Sequence, residues 1–174
     1  KHAQAVQERR DLEADLRAAI ERNELEVALQ PIVQIATGRI IGCEALARWR
    51  HPTRGPISPD EFIPMAERTG LIHELGMWIV RDACRLAAQM PPDAPISVNV
   101  SVAQLRSASM TSDMLAIIAE YGLTPDRIEI EITESLLITR DDPAIDTAHA
   151  LSKAGFPIAL DDFGTGYASL NYLR

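Results

Sequence analysis

Five oxygen-bearing residues recur in one kind of place along this 174-residue sequence. Glu44, Asn99, Glu131 and the adjacent Asp161 and Asp162 each fall late in, or just after, a short apolar run. Strands buried on both faces are nearly all apolar, so a carboxylate or amide there needs a reason. Carboxylates and one amide form an oxygen-only set, which suits a hard cation such as Mg²⁺ or Mn²⁺. Zinc is disfavoured, because no His or Cys joins the set. Ile128-Glu129-Ile130-Glu131-Ile132 shows the pattern most clearly. It alternates with period two, so the isoleucines share one face and the two glutamates the other. Carboxylates turned into an interior are costly unless a cation or base offsets them. The competing reading of this strand alone is a half-solvated edge with polar residues outward; the same anomaly at consecutive strand ends weighs against it.

Arg48 follows Glu44 by four residues in an extended segment, so the two share a face. A guanidinium beside metal-binding acids is a phosphate clamp; the alternative is a salt bridge to a neighbouring acid. Gln30, just before Pro31, reaches either a base edge or phosphate, or its own backbone. Asp161-Asp162-Phe163-Gly164-Thr165-Gly166-Tyr167 is an acid pair followed by a glycine-containing loop. At a strand–loop junction both acids can turn to a two-metal centre. This is not a phosphate-cradling Walker loop, because no Gly-Lys-Ser/Thr follows. The histidines, His2, His51, His73 and His149, avoid the predicted strand ends and read as surface or core-edge residues.

The elements that must position these groups follow from pattern. Residues 2–22 read as a helix, with Leu12, Leu16, Ala19 and Ile20 at helical spacing. Residues 25–35 and 39–47, rich in Val, Ile and Leu around Ala36-Thr37-Gly38, predict an antiparallel hairpin. Ser58-Pro59-Asp60-Glu61 starts a helix that Gly70 ends. Helices are expected over 72–89, 103–121 and 141–154, with another restarting near Ser169. Strands are expected over 96–100, 127–132 and 157–160. Their spacing is one strand–helix unit per step, which implies parallel strands with right-handed crossovers. A full (β/α)₈ barrel needs about 250 residues, so five strands make a small open sheet or the front of a larger barrel.

Composition excludes other classes. Seventeen Lys and Arg against 25 Asp and Glu give a net charge of −8. That argues against a polymeric DNA or RNA partner and against docking on an anionic membrane. No apolar run reaches about 18 residues, the length of a membrane span. Cys43 and Cys84 form neither a metal motif nor a disulfide framework, and a cytoplasmic setting is expected. A phosphate ligand stays compatible with this acidity if cations supply the positive charge.

Six motifs in order resemble the EAL domain family of bacterial cyclic di-GMP phosphodiesterases. They are Leu29-Gln30-Pro31-Ile32, Glu44-Ala45-Leu46 with Ala47-Arg48-Trp49, Pro59 to Glu67, Asn99-Val100-Ser101, Glu131-Ile132-Thr133-Glu134, and Asp161 to Leu170. The resemblance implies an α/β fold, a TIM-type barrel with an antiparallel first strand, of which about five strands lie here. It implies residues 1–22 as a linker helix and 23–174 as EAL domain. It implies hydrolysis of cyclic di-GMP to linear pGpG with two Mg²⁺ or Mn²⁺ ions, held by Glu44, Asn99, Glu131, Asp161 and Asp162. Gln30, Leu46 and Arg48 would hold substrate, and Glu134 would brace the Asp161–Leu170 loop, a region of possible homodimerisation. An upstream regulatory domain is expected. The family's sixth-strand lysine and a later glutamate and glutamine would fall after Arg174, and Lys153 does not replace them. Residues 1–174 alone are therefore expected to be inactive. A non-catalytic cyclic di-GMP sensor and a protein-interaction module are the alternatives.

Overall fold

The computed structural model describes residues 2–22, 24–133 and 142–161. The elements are α1 (His2–Arg22), β1 (Leu25–Val33), β2 (Ile40–His51), β3 (Gly55–Ile57), α2 (Pro59–Thr69), α3 (Ile72–Ala87), β4 (Ile96–Val100), α4 (Val102–Leu105), α5 (Met110–Glu120), β5 (Ile128–Thr133), α6 (Pro143–Lys153) and β6 (Ile158–Asp161). The sheet runs β1-β2-β4-β5-β6, with β3 paired to β2 off this path. β1 is antiparallel to β2, and β2, β4, β5 and β6 are mutually parallel. The predicted antiparallel start followed by strand–helix units is thus the observed order. Gly38, at φ 68°, closes the hairpin in the left-handed region that its lack of a Cβ permits.

Each strand turns one face to helices and the other inward. On β2, Ala45, Ala47, Trp49 and His51 are buried, while Glu44, Leu46 and Arg48 between them are half-buried. Ile128, Ile130 and Ile132 are buried on β5, whereas Glu129 and Glu131 lie on its other face. The buried faces form two separate apolar clusters. The larger joins Ala45, β4, β5 and the inner sides of α3, α5 and α6. The smaller joins Leu12, Leu16 and Ala19 of α1 to Leu25, Ala47, Trp49 and Phe62.

Local chemistry sets several boundaries. Ser58 accepts the Asp60 N–H to cap α2, and Gly70 ends it at φ 80°. Asp142 caps α6 the same way through Ala144 N–H. The structure departs from the sequence expectations in three places. β2 does not stop at Ala47 but continues to His51: Arg48 and Trp49 pair with Glu26 and Leu25 of β1, and Trp49, Arg50 and His51 pair with β3, a strand absent from the expectations. Residues 103–121 are two helices rather than one: Ser101 and Gln104 make a capping box for α4, and α5 starts afresh at Met110. His51 therefore stands at a strand end, where no histidine was expected. Asp162, Glu134, the rest of the loop to Leu170 and the helix expected near Ser169 lie outside the described residues.

Candidate functional site

The inward face of the sheet gathers most of the residues singled out above. Register places Gln30 opposite Glu44, Ala28 opposite Leu46 and Glu26 opposite Arg48 across the hairpin. Glu44 lies beside Ser97 of β4, and Asn99 beside Glu131 of β5. Gln30, Glu44, Leu46, Arg48, Asn99 and Glu131 consequently share one face. Asp161 ends β6 opposite Thr133, one strand further along. Parallel α/β sheets bind ligands at the carboxyl ends of their strands; Asn99, Glu131 and Asp161 lie toward those ends, whereas Glu44, expected late in its strand, falls in the first half of the longer β2, level with Ser97 of β4.

Two hydrogen bonds organise the acids. Asn99 Nδ2 donates to Glu44 Oε1 at 2.8 Å, across a sequence gap of 55 residues. Ser97 Oγ donates to Glu129 Oε1 at 2.8 Å. The first bond uses the amide nitrogen of Asn99 and leaves its oxygen available as an acceptor. The donors present are carboxylate and amide oxygens, which fits a hard divalent cation and not a soft one. Among the described residues no three acids, histidines or cysteines converge on one point. The set that would hold a cation is instead two carboxylates with an amide, extended by the end of β6.

Arg48 resolves an alternative that its sequence position left open. It has no carboxylate partner among the ion pairs of the described residues. Its guanidinium donates to Ala47 O at 2.9 Å. Glu26, directly opposite in register, is engaged by Arg50 at 2.9 Å instead. A half-buried cation on the acid-bearing face is thereby left to meet an anion.

Beside this row a cleft of about 220 Å³ opens between the tops of β2 and β4 and the helices α2 and α3. Its wall is mostly apolar, with Leu46, Ile63 and Ile79, and Arg48, Glu67, Asn99 and Gln104 supply polar groups. That is the usual make-up of a small-molecule site: apolar walls with few polar anchors. Gln104 and Glu67 carried no chemical signal in the sequence, since a Gln in a helix start and a Glu on a helix read as ordinary capping and solvation. Ser97 was equally silent.

Other reactive groups are disengaged from the site. Burial pushes the Cys84 thiol up to about 12, far from a nucleophilic thiolate. Lys153 lies exposed in the last turn of α6. Asp142 is held below the usual carboxylate range by the Arg106 guanidinium and by Ala144 N–H, and serves as a helix cap. No helix among the described residues is long and apolar enough to cross a membrane.

The family model of the EAL domain matches residues 13–174. An uncharacterized signaling protein of Caulobacter vibrioides is 46% identical over 169 residues, covering 97% of this chain and 21% of that protein. The bifunctional diguanylate cyclase/cyclic di-GMP phosphodiesterase MucR of Pseudomonas aeruginosa is 40% identical over 176 residues, covering 97% of this chain and 25% of MucR. A solved structure of the MucR phosphodiesterase in complex with c-di-GMP superposes with a TM-score of 0.86 at 40% identity, covering 94% of this chain and 68% of that one. The chain thus spans about a fifth to a quarter of the length of these curated relatives.

Proposed function

The chain belongs to the EAL domain family, and from that premise we propose that its inward strand ends bind cyclic di-GMP and take part in hydrolysing one of its phosphodiesters to linear pGpG. The observation that carries the reading is the junction of Glu44, Asn99 and Glu131 on one face with an Arg48 that no described carboxylate neutralises. The likeness to a phosphodiesterase solved with c-di-GMP supports the choice of ligand.

In this reading Glu44, Asn99, Glu131, Asp161 and Asp162 hold two divalent ions, Mg²⁺ or Mn²⁺. Those ions supply offset of phosphate charge and activation of water. The protein's own groups do the rest. Arg48 binds a phosphate oxygen through its planar fork of donors. Gln30, opposite Glu44, orients the nucleotide from the first strand. Leu46 provides an apolar surface against which the ligand excludes water. Glu134 braces the segment that follows β6, where homodimer contact is also expected. Residues 1–22 serve as linker and 23–174 as the EAL unit, regulated from an upstream domain.

The test is calorimetry with cyclic di-GMP in Ca²⁺, beside turnover in Mg²⁺ and Mn²⁺. Metal-dependent binding that Glu44→Gln abolishes supports the proposal. Residues 1–174 alone are expected to bind without turnover, so the sensing alternative is tested on a chain that continues past Arg174, where binding without turnover in any divalent metal favours it; no binding at high micromolar ligand favours an interaction module.

A further inference from the structure

Strand β2 is shared between two cores, and the change of core falls beneath the ligand-facing residues. Ala45 packs in the barrel cluster, whereas Ala47 and Trp49 pack in the cluster that contains α1. Leu46 and Arg48 are on the opposite face of this same stretch. Any shift of the α1 cluster against the barrel cluster is therefore taken up by the backbone that carries them.

Besides the exposed Arg17–Glu74 pair at 3.4 Å and a longer approach of Arg54 to Asp15 at 3.9 Å, α1 is held to this core by one polar contact to a buried side chain. His51 Nε2 lies 3.1 Å from Asp15 Oδ2 of α1, and the histidine side chain is only 8% exposed. Its Nδ1 faces the N–H groups of Thr53 and Arg54, at 3.2 and 3.1 Å, and the Thr53 hydroxyl at 3.3 Å. A nitrogen surrounded by backbone donors is an acceptor, so the ring proton is assigned to Nε2 and is donated to Asp15. The ring also packs edge-on against Trp49, with centroids 5.7 Å apart, and Trp49 packs against Phe62 at 5.8 Å. Trp49 Nε1 has no hydrogen-bond acceptor among the described residues. The indole is therefore placed by packing alone, by the cluster to which α1 contributes. Arg48 is the residue between Ala47 and Trp49.

We propose that Asp15 and His51 are positioning residues for the ligand site: their hydrogen bond seats α1 on the end of β2 and sets the placement of Leu46 and Arg48. The proposal rests on the reading of the site as one for cyclic di-GMP. It also gives α1 a purpose beyond connection, since a displacement of this helix reaches Arg48 through one strand.

The experiment measures cyclic di-GMP affinity by calorimetry in Ca²⁺, well below each variant's unfolding temperature. Asp15→Ala cuts the bond from the helix side. His51→Asn cuts it from the strand side while keeping an oxygen near the Nδ1 position for the turn. Each is expected to weaken binding about 2- to 30-fold, the range for residues that act through a neighbour. Asp15→Ala also frees Arg54, which lies 3.9 Å from Asp15, so the double variant should be no weaker than Asp15→Ala alone, because the His51–Asp15 bond is already gone there. Asp15→Asn, which still accepts from Nε2, should restore affinity. Two controls separate positioning from general stability: Arg81→Ala, which breaks the exposed Arg81–Glu120 pair, and Met114→Ala, which hollows the barrel core. Both should bind like the unaltered chain. Affinity within twofold of the unaltered chain for Asp15→Ala and His51→Asn, or an equal loss in Met114→Ala, overturns the proposal. If the unaltered chain binds no cyclic di-GMP, the functional reading itself fails and this proposal falls with it.

Discussion

Replacing Gly76 by alanine sets two rules against each other. Gly76 lies inside α3, where helix propensity alone favours alanine by about 1 kcal/mol. Its surroundings reverse the sign. A Cβ at Gly76 would overlap Gln104 Nε2 and sit 2.9 Å from Gln104 Cδ. Gln104 is 2% exposed and cannot swing into solvent without repacking its neighbours. Its Oε1 accepts the Ser101 N–H at 3.0 Å and completes the capping box of α4. Losing a cap costs about 0.5–2 kcal/mol, and overpacking a core costs about 1–3 kcal/mol. After the propensity gain, a net loss of about 0.5–4 kcal/mol is expected, at about 2–4 °C of Tm for each kcal/mol in a chain of this size. Thermal and urea unfolding of Gly76→Ala measure it. Gly76→Ala/Gln104→Ala removes the clash and should regain part of the loss. A Gly76→Ala variant more stable than the unaltered chain refutes the reasoning, since it would show that Gln104 yields without cost. Ligand binding should weaken as well, because Ser101 is two residues past Asn99.

Three further outcomes follow from separate parts of the structure. Asp142 has a folded pKa below its ordinary value because of Arg106. Its contribution is therefore complete above the ordinary aspartate pKa of about 3.9 and lost as pH falls through the lower folded value. Asp142→Ala should flatten the decline of Tm with acid in that window, and an unchanged slope contradicts the assignment. Leu16→Ala opens a cavity in the fully buried α1 contact and should cost about 2–5 kcal/mol by urea unfolding; a loss under 1 kcal/mol would mean that α1 is not part of the core. Arg48→Ala should weaken cyclic di-GMP binding in Ca²⁺ without lowering Tm, because Arg48 makes no ion pair within the described residues. A drop in Tm equal to that of a core variant would refute this.

The strand-end acids were legible because burial and polarity conflict there. Glu44, Asn99 and Glu131 interrupt apolar runs, and the fold brings them onto one face as period-two alternation requires. Gly38, Gly70 and Gly155 mark their turns for the same local reason, since each adopts a positive φ. What the sequence could not yield depends on distant partners. β2 extends past Trp49 because β3 returns beside it. Arg127 looked like a strand start, yet its guanidinium is buried and donates to Ala87 O and Pro91 O, at 2.8 and 3.1 Å, tying the end of α3 to β5. His51 read as a core-edge residue, and its bond to Asp15 joins positions 36 residues apart in sequence. No local pattern encodes such a pair.

Two acids of the inward face, Glu44 and Glu129, carry neutral donors, and this predicts how the site behaves without cations. Glu44 takes a hydrogen bond from Asn99, and Glu129 takes one from Ser97. Both donors are uncharged, so each can turn away when a cation arrives. A site of this kind differs from a structural metal centre, whose ligands have no alternative partners and whose folding depends on the ion. The chain stripped with a chelator should therefore unfold in one cooperative transition, with its helix content intact beforehand. Returning Mg²⁺ or Mn²⁺ should raise Tm gradually with concentration, as mass action demands of an ion that binds the folded state alone. Asn99→Ala removes the neutral donor to Glu44. That variant should be less stable than the unaltered chain in chelator, and, because Asn99 is also a cation ligand in this reading, the gap should widen as cation is added. Measuring the four Tm values decides the matter. A chain that loses its helices on chelation, or a gap that ignores the cation, would show that the acids depend on something other than these two hydrogen bonds.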